Sequence, residues 1–413
     1  MPRKKKTAVA AGSKTTKMAL FRAGAQKALG KPEKDYVVPL DSDLLEDSLP
    51  HLPTGSLIID YLIGGEMNDK GVMPCPGLPR GRVAQVWGHE SAGKTTLALT
   101  AAATTCANGG ACVYIDWEND IVPDYAQALG VPVTDPDKFL LLQPDTLEEG
   151  VKLAMVAAAA GIDLIVFDSV GAAVPARIAN RELSDVGEQS RVGELQAVWS
   201  QELPNLKRML ARKGGCILGI SQIRSKINTG PSYGPTTQPQ GGNAWKFYAS
   251  VRLELRRIKT EKNKLFNVLT HKTDDRVIGG VIKCKVIKCK LSKSQGREEL
   301  FYIRWGEGID DTRSVMEIAA AHGIVRKSGS WISADLPSGL LKVQGTNSFM
   351  DHLKNTPDDF HALYKKVIPL LGQRTFKEED LEDLDDVADL LAEVDAATEK
   401  PSVAEGSEEE SEG

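Results

Sequence analysis

The sequence contains few cysteines and no close cysteine pair. Its six cysteines in 413 residues are Cys75, Cys106, Cys112, Cys216, Cys284 and Cys289. None forms a Cys-x-x-Cys pair, and Cys112 and Cys216 lie in apolar runs typical of strands. We therefore expect reduced, mostly buried thiols rather than a disulfide framework or a zinc site.

Long apolar runs are also missing. The longest apolar runs are too short to span a bilayer; one of them, residues 151–162, also contains Lys152. Residues 1–6 are basic, but no apolar segment follows them, so we expect no secretory signal. These absences predict a cytoplasmic protein with no membrane partner.

Acidic residues are absent from residues 1–31, which contain nine lysines and arginines. Residues 378–413 show the opposite bias, with 16 acidic residues, one lysine and a net charge of −15, so the remaining residues sum to +10. A basic body with an acidic tail indicates a polyanionic partner, with the tail as an internal competitor. The alternative is a tail that only keeps the protein soluble.

The chain is predicted to contain four segments. Residues 1–45 form a basic arm with a short helix over 17–29, and residues 46–310 alternate strand-like and helical runs. Such alternation predicts an α/β core with a mainly parallel central sheet. Residues 311–373 form a small α+β domain of three helices and a hairpin around 327–330, and the acidic tail over 374–413 is predicted to be disordered.

The strand predictions are 82–87, 111–116, 139–143, 164–168, 216–221, 250–256, 281–288 and 299–305. The helix predictions in the core are 94–108, 147–160 and 194–213.

Residues 88–95 read Gly-x4-Gly-Lys-Thr, between a strand-like run and a helix start. In such a loop backbone N–H groups surround a polyphosphate, the Lys94 ammonium reaches the outer phosphates and the Thr95 hydroxyl ligates Mg²⁺. The loop predicts a nucleoside triphosphate, ATP with Mg²⁺, as the cofactor. The candidate ligands here are Gly88, His89, Glu90, Ser91, Ala92, Gly93, Lys94, Thr95 and Thr96.

Three further strands end in polar side chains. An apolar run ends at Asp168, which we expect to share Mg²⁺ with Thr95, because strand ends in an open α/β sheet face the ligand. A second strand presents Asp116 and Glu118, one of which could activate water; the alternative is an acid that only caps a loop. A third strand ends at Gln222, whose amide can both donate to and accept from a γ-phosphate or water.

Several segments together resemble the RecA family of recombination ATPases over about residues 50–372. They are Thr54-Gly55-Ser56, residues 88–96, 114–118, 164–170, 221–224, the Gly-Gly-Asn-Ala-x-Lys-Phe-Tyr-Ala-Ser-Val-Arg run of 241–252, Lys288-Cys289-Lys290 and 306–309. The resemblance implies a RecA-type P-loop ATPase that forms helical filaments on single-stranded DNA and catalyses homologous pairing and strand exchange.

The resemblance also implies roles for single residues. Glu118 would activate water, Gln222 would sense the γ-phosphate, and Tyr125 would stack on adenine. Lys288 and Lys290 would reach the ATP of the neighbouring subunit, although a basic strand face is the alternative interpretation. Lys94 completes the predicted catalytic set.

The same resemblance predicts DNA contacts at two loops and a secondary site. The first loop is expected over residues 178–192 and the second over 223–241. The candidates in and after the second loop are Arg224, Lys226, Ile227, Gly241, Gly242 and Asn243. The candidates for a second DNA strand are Arg256, Arg257, Lys283 and Lys285. The expected partners are single-stranded DNA, duplex DNA and further copies of the chain, with a single-strand binding protein or a loader as a further candidate.

Departures from the family pattern indicate a divergent, phage-like member. Val122 replaces an aspartate expected near adenine, residues 66–76 are an insertion, and the first loop is longer and rich in acids. Two other functions share the same motifs: a hexameric helicase-like motor, and a regulatory paralogue with weak hydrolysis.

The tail yields a prediction. Deleting residues 378–413 should strengthen binding to duplex DNA, because a net charge of −15 leaves a body of +10. The measurement is a binding titration of full-length and truncated protein at low and at high salt. Equal low-salt affinities would show that the tail only keeps the protein soluble.

Overall fold

The computed structural model describes residues 17–30, 32, 48–179, 191–225, 237–267 and 272–371. The chain divides into two compact units, residues 1–47 and 48–413. In the first unit the helix predicted over 17–29 is confirmed as α1, Lys17–Leu29. The remaining elements belong to the second unit.

The helices that follow α1 are α2 Leu57–Gly64, α3 Lys94–Ala107, α4 Pro123–Ala128, α5 Leu147–Ala160, α6 Ala176–Ala179, α7 Arg191–Lys213, α8 Asn243–Tyr248, α9 Asp311–Ala321, α10 Thr346–Asn355 and α11 Pro357–Val367. The strands are β1 His51–Leu52, β2 Leu78–Pro79, β3 Val83–Gly88, β4 Cys112–Asp116, β5 Phe139–Leu142, β6 Leu164–Asp168, β7 Cys216–Ser225, β8 Thr237–Pro239, β9 Val251–Asn267, β10 Lys272–Cys289, β11 Glu298–Arg304, β12 Gly308–Ile309, β13 Arg326–Ser328, β14 Trp331–Leu336 and β15 Gly339–Gln344.

One large mixed sheet organises the second unit. Its strand order is β12-β11-β10-β9-β3-β7-β6-β4-β5, with β8 paired to the end of β7. The run from β9 to β5 is parallel, whereas β10, β11 and β12 continue the sheet in antiparallel pairs. The predicted α/β class with mostly parallel strands is confirmed.

Two apolar clusters cover the two faces of the sheet. The first contains side chains of α2, α3 and α9, and the second contains side chains of α5, α7 and α8. Along β6, Leu164 and Val166 enter the first cluster while Ile165 and Phe167 enter the second. Because side chains alternate across the pleat, a strand covered on both faces must be apolar throughout, which explains this sequence.

Four aromatic rings lie at the centre of the second cluster. Trp117 stacks on Phe167 at 5.4 Å, and Trp199 packs edge-on against Trp245 at 5.2 Å. Trp199 and Trp245 are fully buried, and the Trp199 indole donates to the carbonyl of Val170 at 3.1 Å. The cluster therefore joins the ends of β4 and β6 to α7 and α8.

The hairpin of β9 and β10 is much longer than the sequence pattern predicts. The predicted strands stop at 256 and restart at 281, but the two strands pair from Cys289 and Val251 out to Lys272 and Asn267. β3 covers only residues 251–255, and β11 covers only 279–285. Among the described residues no strand lies beside the outer ribbon, the sequence there has no apolar pattern, and the strand predictions therefore ended too early.

The C-terminal elements form a three-stranded antiparallel sheet, β13-β14-β15, with α9, α10 and α11. The predicted hairpin around 327–330 is confirmed, whereas its third strand was not predicted. Asp311, in the first turn of α9, accepts hydrogen bonds from the Leu57 amide at 2.7 Å and the Ser56 hydroxyl at 3.1 Å. The N-terminal end of α2 is therefore capped by the carboxylate of a distant helix.

All six cysteines are free thiols, and five of them are buried, as predicted. Within the described part of the chain, no helix is long and apolar enough to cross a membrane.

Gly219 gives a test of the aromatic packing. A Cβ at Gly219, in the middle of β7, would overlap the Trp245 ring. We expect Gly219→Ala to lower the free energy of unfolding by about 1–3 kcal/mol through overpacking, measured by chemical denaturation.

The control is Gly193→Ala, because Gly193 lies in α7 with open space around its Cβ position. Alanine there should be neutral or stabilising. Equal stability of the Gly219→Ala variant and the unmodified protein would contradict the tight packing.

Candidate active site

Four strand ends meet at one edge of the sheet. In the parallel register Gly88 of β3 lies beside Gln222 of β7, and Asp116 of β4 lies beside Asp168 of β6. Carboxyl ends of parallel strands form the ligand crevice of open α/β sheets. The structure thus brings together the phosphate loop, both strand-end acids and the amide identified from the sequence.

The phosphate loop connects β3 directly to α3. Gly93 caps α3 in a left-handed conformation, with φ of 81°. Gly88 is required for a different reason, because a Cβ there would overlap the Leu255 carbonyl oxygen of β9. His89, Glu90 and Ser91 are exposed, whereas Ala92 is buried. The loop therefore presents its backbone at the N-terminal end of a helix, where anions bind.

Lys94 is almost fully buried at the start of α3. Its Nζ donates to the His89 carbonyl of the same loop at 2.6 Å. Burial lowers the pKa of Lys94, while the charges of Asp168, Glu118 and Glu90 oppose that shift. The side chain is thus a cation held inside the loop and surrounded by carboxylates.

Asp168 is buried, at 4% exposure. Its Oδ2 accepts hydrogen bonds from the Tyr114 hydroxyl at 2.7 Å and the Thr95 hydroxyl at 3.0 Å. Burial raises the pKa of Asp168 to about 6, and the charge of Glu118 contributes to the rise. A carboxylate and a hydroxyl in contact are hard oxygen ligands, so this pair fits Mg²⁺.

Glu118 and Asp116 have different surroundings. The buried Asp116 carboxylate accepts hydrogen bonds at 3.0 Å from the backbone amides of Glu118 and Asn119, so it holds the turn after β4. Glu118 is half-exposed and accepts from the Ser169 hydroxyl and, at 3.0 Å, from Gln222 Nε2. Of the two acids, Glu118 is the one available to solvent.

An open cleft of about 420 Å³ lies beside this contact. Its lining residues are Glu118, Asp120, Ser169, Gly171, Ala172, Gln222 and Gln240. The cleft therefore combines two carboxylates with two amides, a set that can accept a proton from water and donate to oxygen atoms.

Thr96 of α3 contacts Tyr125 of α4. Their hydroxyl groups share a hydrogen bond of 2.8 Å, and burial raises the pKa of Tyr125. Val122, which precedes α4, is 57% exposed.

Lys288 and Lys290 lie at the opposite edge of the sheet. Lys288 pairs with Arg252, which lies beside Gln85 of β3. Gly88 is three residues further along β3, roughly 10 Å at the rise of a strand. The structure does not bring these two lysines to the phosphate loop of their own chain.

The Lys288 ammonium donates to the carbonyls of Lys246 at 2.6 Å and Phe247 at 3.2 Å, at the end of α8. Burial and the cations Lys290, Arg252, Lys207 and Lys246 lower the pKa of Lys288 to about 8. This edge of the sheet is therefore a concentration of positive charge.

The candidate DNA residues are only partly brought together. Arg224 lies in β7, whereas Lys226 and Ile227 fall outside the described residues, as does most of the first loop, 180–190. Gly241 and Gly242 both have positive φ, and Asn243 begins α8.

The four residues of the expected secondary site do not share one face of the β9–β10 ribbon. Lys283 lies opposite Arg256, and Lys285 is two residues further along, so these three share a face. Arg257 points to the other face. Lys283 and Lys285 also lie 3.7 and 3.3 Å from the carboxylate of Glu298 on β11.

Sequence reasoning missed three residues of the site. Tyr114 lies in an apolar strand and Ser169 follows Asp168, so neither differs locally from a structural residue. Gln240 follows a proline-containing polar segment and lines the cleft only because β8 folds back onto β7. The alternation of Tyr114 with Asp116 along β4 was the one available signal.

The strand order, the phosphate loop and the acids at the strand ends define a P-loop nucleotide-binding protein of the α/β class. A family model described as the RecA N-terminal domain matches residues 25–310, which is more than half of the chain. The chain belongs to the RecA family and is a recombination and repair protein of the RecA type.

Individual relatives match most of the chain. Protein RecA of Frankia casuarinae is 37% identical over 322 residues, covering 78% of this chain and 84% of the relative. Protein RecA of Mycolicibacterium vanbaalenii is 38% identical over 322 residues, covering 78% and 83%. Protein RecA of Laribacter hongkongensis is 37% identical over 350 residues, covering 84% and 90%.

The buried hydrogen bond to Asp168 gives a prediction. Tyr114→Phe removes the hydroxyl donor from a carboxylate that is almost dry. We expect the free energy of unfolding to fall by about 1–3 kcal/mol, because the buried carboxylate oxygen loses one of its two donors and keeps only the Thr95 hydroxyl. Chemical denaturation without nucleotide or Mg²⁺ measures it.

Tyr248→Phe is the matched control, because Tyr248 packs at the rim of the second apolar cluster. An equal loss of unfolding free energy in both variants would show that the hydrogen bond to Asp168 adds no stability beyond that of an ordinary tyrosine hydroxyl.

Proposed function

We propose that this protein is a DNA-dependent ATPase that forms ATP-bound helical filaments on single-stranded DNA and catalyses pairing and strand exchange. The observation that carries the proposal is the 3.0 Å hydrogen bond from Gln222 to Glu118. It links the acid assigned to hydrolysis with the strand that leads into the expected second DNA loop. A change at the nucleotide can therefore reach that loop through one side-chain contact.

The nucleotide occupies the edge formed by the phosphate loop. Lys94 and the loop amides hold the phosphates, and Thr95 with Asp168 would hold Mg²⁺, which supplies charge neutralisation for the phosphoryl group. Tyr125 faces the adenine. Gly88, Gly93 and the helix start keep the backbone donors in place.

Hydrolysis is assigned to Glu118 and Gln222. A water oxygen forms a bond to the γ-phosphorus while the bond from that phosphorus to the bridging oxygen breaks, giving ADP and phosphate. Glu118 accepts the proton of the water, and the Gln222 amide holds the water or the γ-phosphate oxygen. Ser169 keeps the Glu118 carboxylate directed into the cleft.

Lys288 and Lys290 act on the ATP of the next subunit. Their distance from the phosphate loop of their own chain supports this assignment, because the phosphates of a nucleotide on a neighbouring subunit would neutralise the positive charge at that edge. ATP bound between two subunits then holds the filament together, since its negative phosphates neutralise lysines that would otherwise repel one another.

DNA contacts follow from the basic residues near the two loops. Arg224, Lys226, Ile227 and the segment 241–243 would contact single-stranded DNA. Arg256, Lys283 and Lys285 would contact a second strand, and Arg257 would act from the other face of the ribbon. In this assignment Glu298 competes with DNA phosphates for both lysines.

The proposed organisation retains four segments. They are the basic arm 1–45, the ATPase core 46–310, the small domain 311–373 and the acidic tail 374–413. The proposed location is the cytoplasm, where the partners are single-stranded DNA, duplex DNA, further copies of the chain, and a single-strand binding protein or loader.

Steady-state ATP hydrolysis without DNA, with single-stranded DNA and with duplex tests the proposal. We expect single-stranded DNA to give the largest increase in kcat. Lys94→Ala should abolish turnover, whereas Glu118→Gln should lose hydrolysis by a factor of about 10²–10⁴ and still bind single-stranded DNA when ATP is present.

Two results would count against these assignments. ATP binding with no increase in turnover on single-stranded DNA would indicate a regulatory paralogue. Equal loss of hydrolysis and ATP-dependent DNA binding in Glu118→Gln would contradict the role of Glu118 as the base.

A further inference from the structure

Gln240 lies directly beside Gln222 although eighteen positions separate them in sequence. β8 pairs antiparallel with the end of β7, with Pro239 opposite Ile223. The backbone N–H of Gln240 then donates to the backbone carbonyl oxygen of Gln222 at 2.8 Å. The backbone of Gln222 is thus held from both sides, by β3 through Gly88 and by Gln240.

The side chain of Gln240 occupies space that a glycine leaves free. A Cβ at Gly171 would overlap the Gln240 Oε1 atom and would lie 2.6 Å from its Cβ and 2.9 Å from its Cδ. The φ of Gly171 is not positive, so the backbone conformation does not require glycine there. Glycine is required because any larger residue would occupy the space of the Gln240 side chain.

This contact lies at the hydrolytic side of the site. Gly171 follows Ser169, whose hydroxyl donates to Glu118, by two residues. Gln240, Gly171, Ser169, Gln222 and Glu118 line the same cleft. Gln240 therefore connects the segment after β6, which orients Glu118 through Ser169, with the strand that carries Gln222.

We propose that Gln240 is a positioning residue for ATP hydrolysis. Its side chain packs on Gly171, and its backbone N–H donates to the Gln222 carbonyl. Together these contacts keep the Gln222 side chain at hydrogen-bonding distance from Glu118. The inference rests on the proposed function, because it needs ATP turnover as its readout. It assigns Gln240 no contact with the nucleotide.

A double-mutant cycle on ATP hydrolysis tests the inference. The proteins are the unmodified chain, Gln240→Ala, Gln222→Ala and the double variant, each assayed with and without single-stranded DNA. We expect Gln240→Ala to lower kcat about 5- to 10-fold, because it removes the side chain that packs on Gly171 and keeps only the backbone hydrogen bond to Gln222, while the KM for ATP changes less than about twofold. The double variant should match Gln222→Ala, because Gln240 acts through Gln222.

Two further variants separate positioning from general damage. Gly171→Ala should also lower kcat, because its Cβ displaces Gln240 without changing the amide chemistry. Gln201→Ala replaces an exposed glutamine on α7 and should leave kcat and KM unchanged. Thermal unfolding of every variant monitors the fold.

A Gln240→Ala protein with unmodified kcat would overturn the inference, as would a double variant whose loss is the product of the two single losses. The recombinase proposal fails separately, if the unmodified chain hydrolyses ATP equally with and without single-stranded DNA. In that case the cycle still decides the role of Gln240 from the DNA-independent rate.

Discussion

Three carboxylates lie at one edge of the sheet, and the burial of charge there is the constraint on which the rest of the site depends. Burial raises the pKa of Asp168, and the charge of Glu118 adds to the rise. Charges removed from water need hydrogen-bond donors or opposite charges. Asp116 takes backbone amides, Asp168 takes two hydroxyls, and Glu118 takes a hydroxyl and an amide.

These donors come from elements that must stay in register with one another. The parallel pairing of β6 with β4 and of β7 with β3 aligns the strand ends, so a shift of one residue would send the polar ends to the wrong face. The packing and pairing of the apolar strands thus fix the positions of the polar side chains at their carboxyl ends. This is why the buried clusters on both faces matter for chemistry at the edge.

Sequence reasoning succeeded for the central strands, because each lies in a short run whose apolar pattern predicts burial on both faces. The phosphate loop, Asp168 and Gln222 stand at the ends of such runs, so their common position at one edge of the sheet could also be predicted. Prediction failed where the environment comes from distant parts of the chain. In the described sheet, the β9–β10 hairpin extends beyond its flanking strands β3 and β11, and the sequence there has no apolar pattern. The register of the sheet brings Tyr114, Ser169 and Gln240 to the site, which their local sequence does not predict. The alternation of side chains along β9 places Arg257 on the face opposite Arg256.

At three positions in this protein, glycine acts by leaving space. Gly150, Gly171 and Gly219 have no positive φ, yet a Cβ at each would overlap Trp117, Gln240 and Trp245 respectively. Each bulky partner belongs to a segment that borders the site or an expected DNA loop. Close approach at these three points joins the loop-bearing segments to the strands.

The aromatic cluster also gives the molecule optical properties. Trp199 and Trp245 are buried with ring centroids 5.2 Å apart, and the partly buried Trp117 lies 6.2 Å from Trp199. Trp305 and Trp331 are about half-exposed, whereas Trp87 is buried outside this cluster. Buried indoles emit at shorter wavelengths than hydrated ones, and excitation passes readily between rings at such separations. The protein therefore carries a built-in fluorophore where β4, β6, α7 and α8 converge, and a soluble quencher can separate the emission of the buried tryptophans from that of the two surface ones.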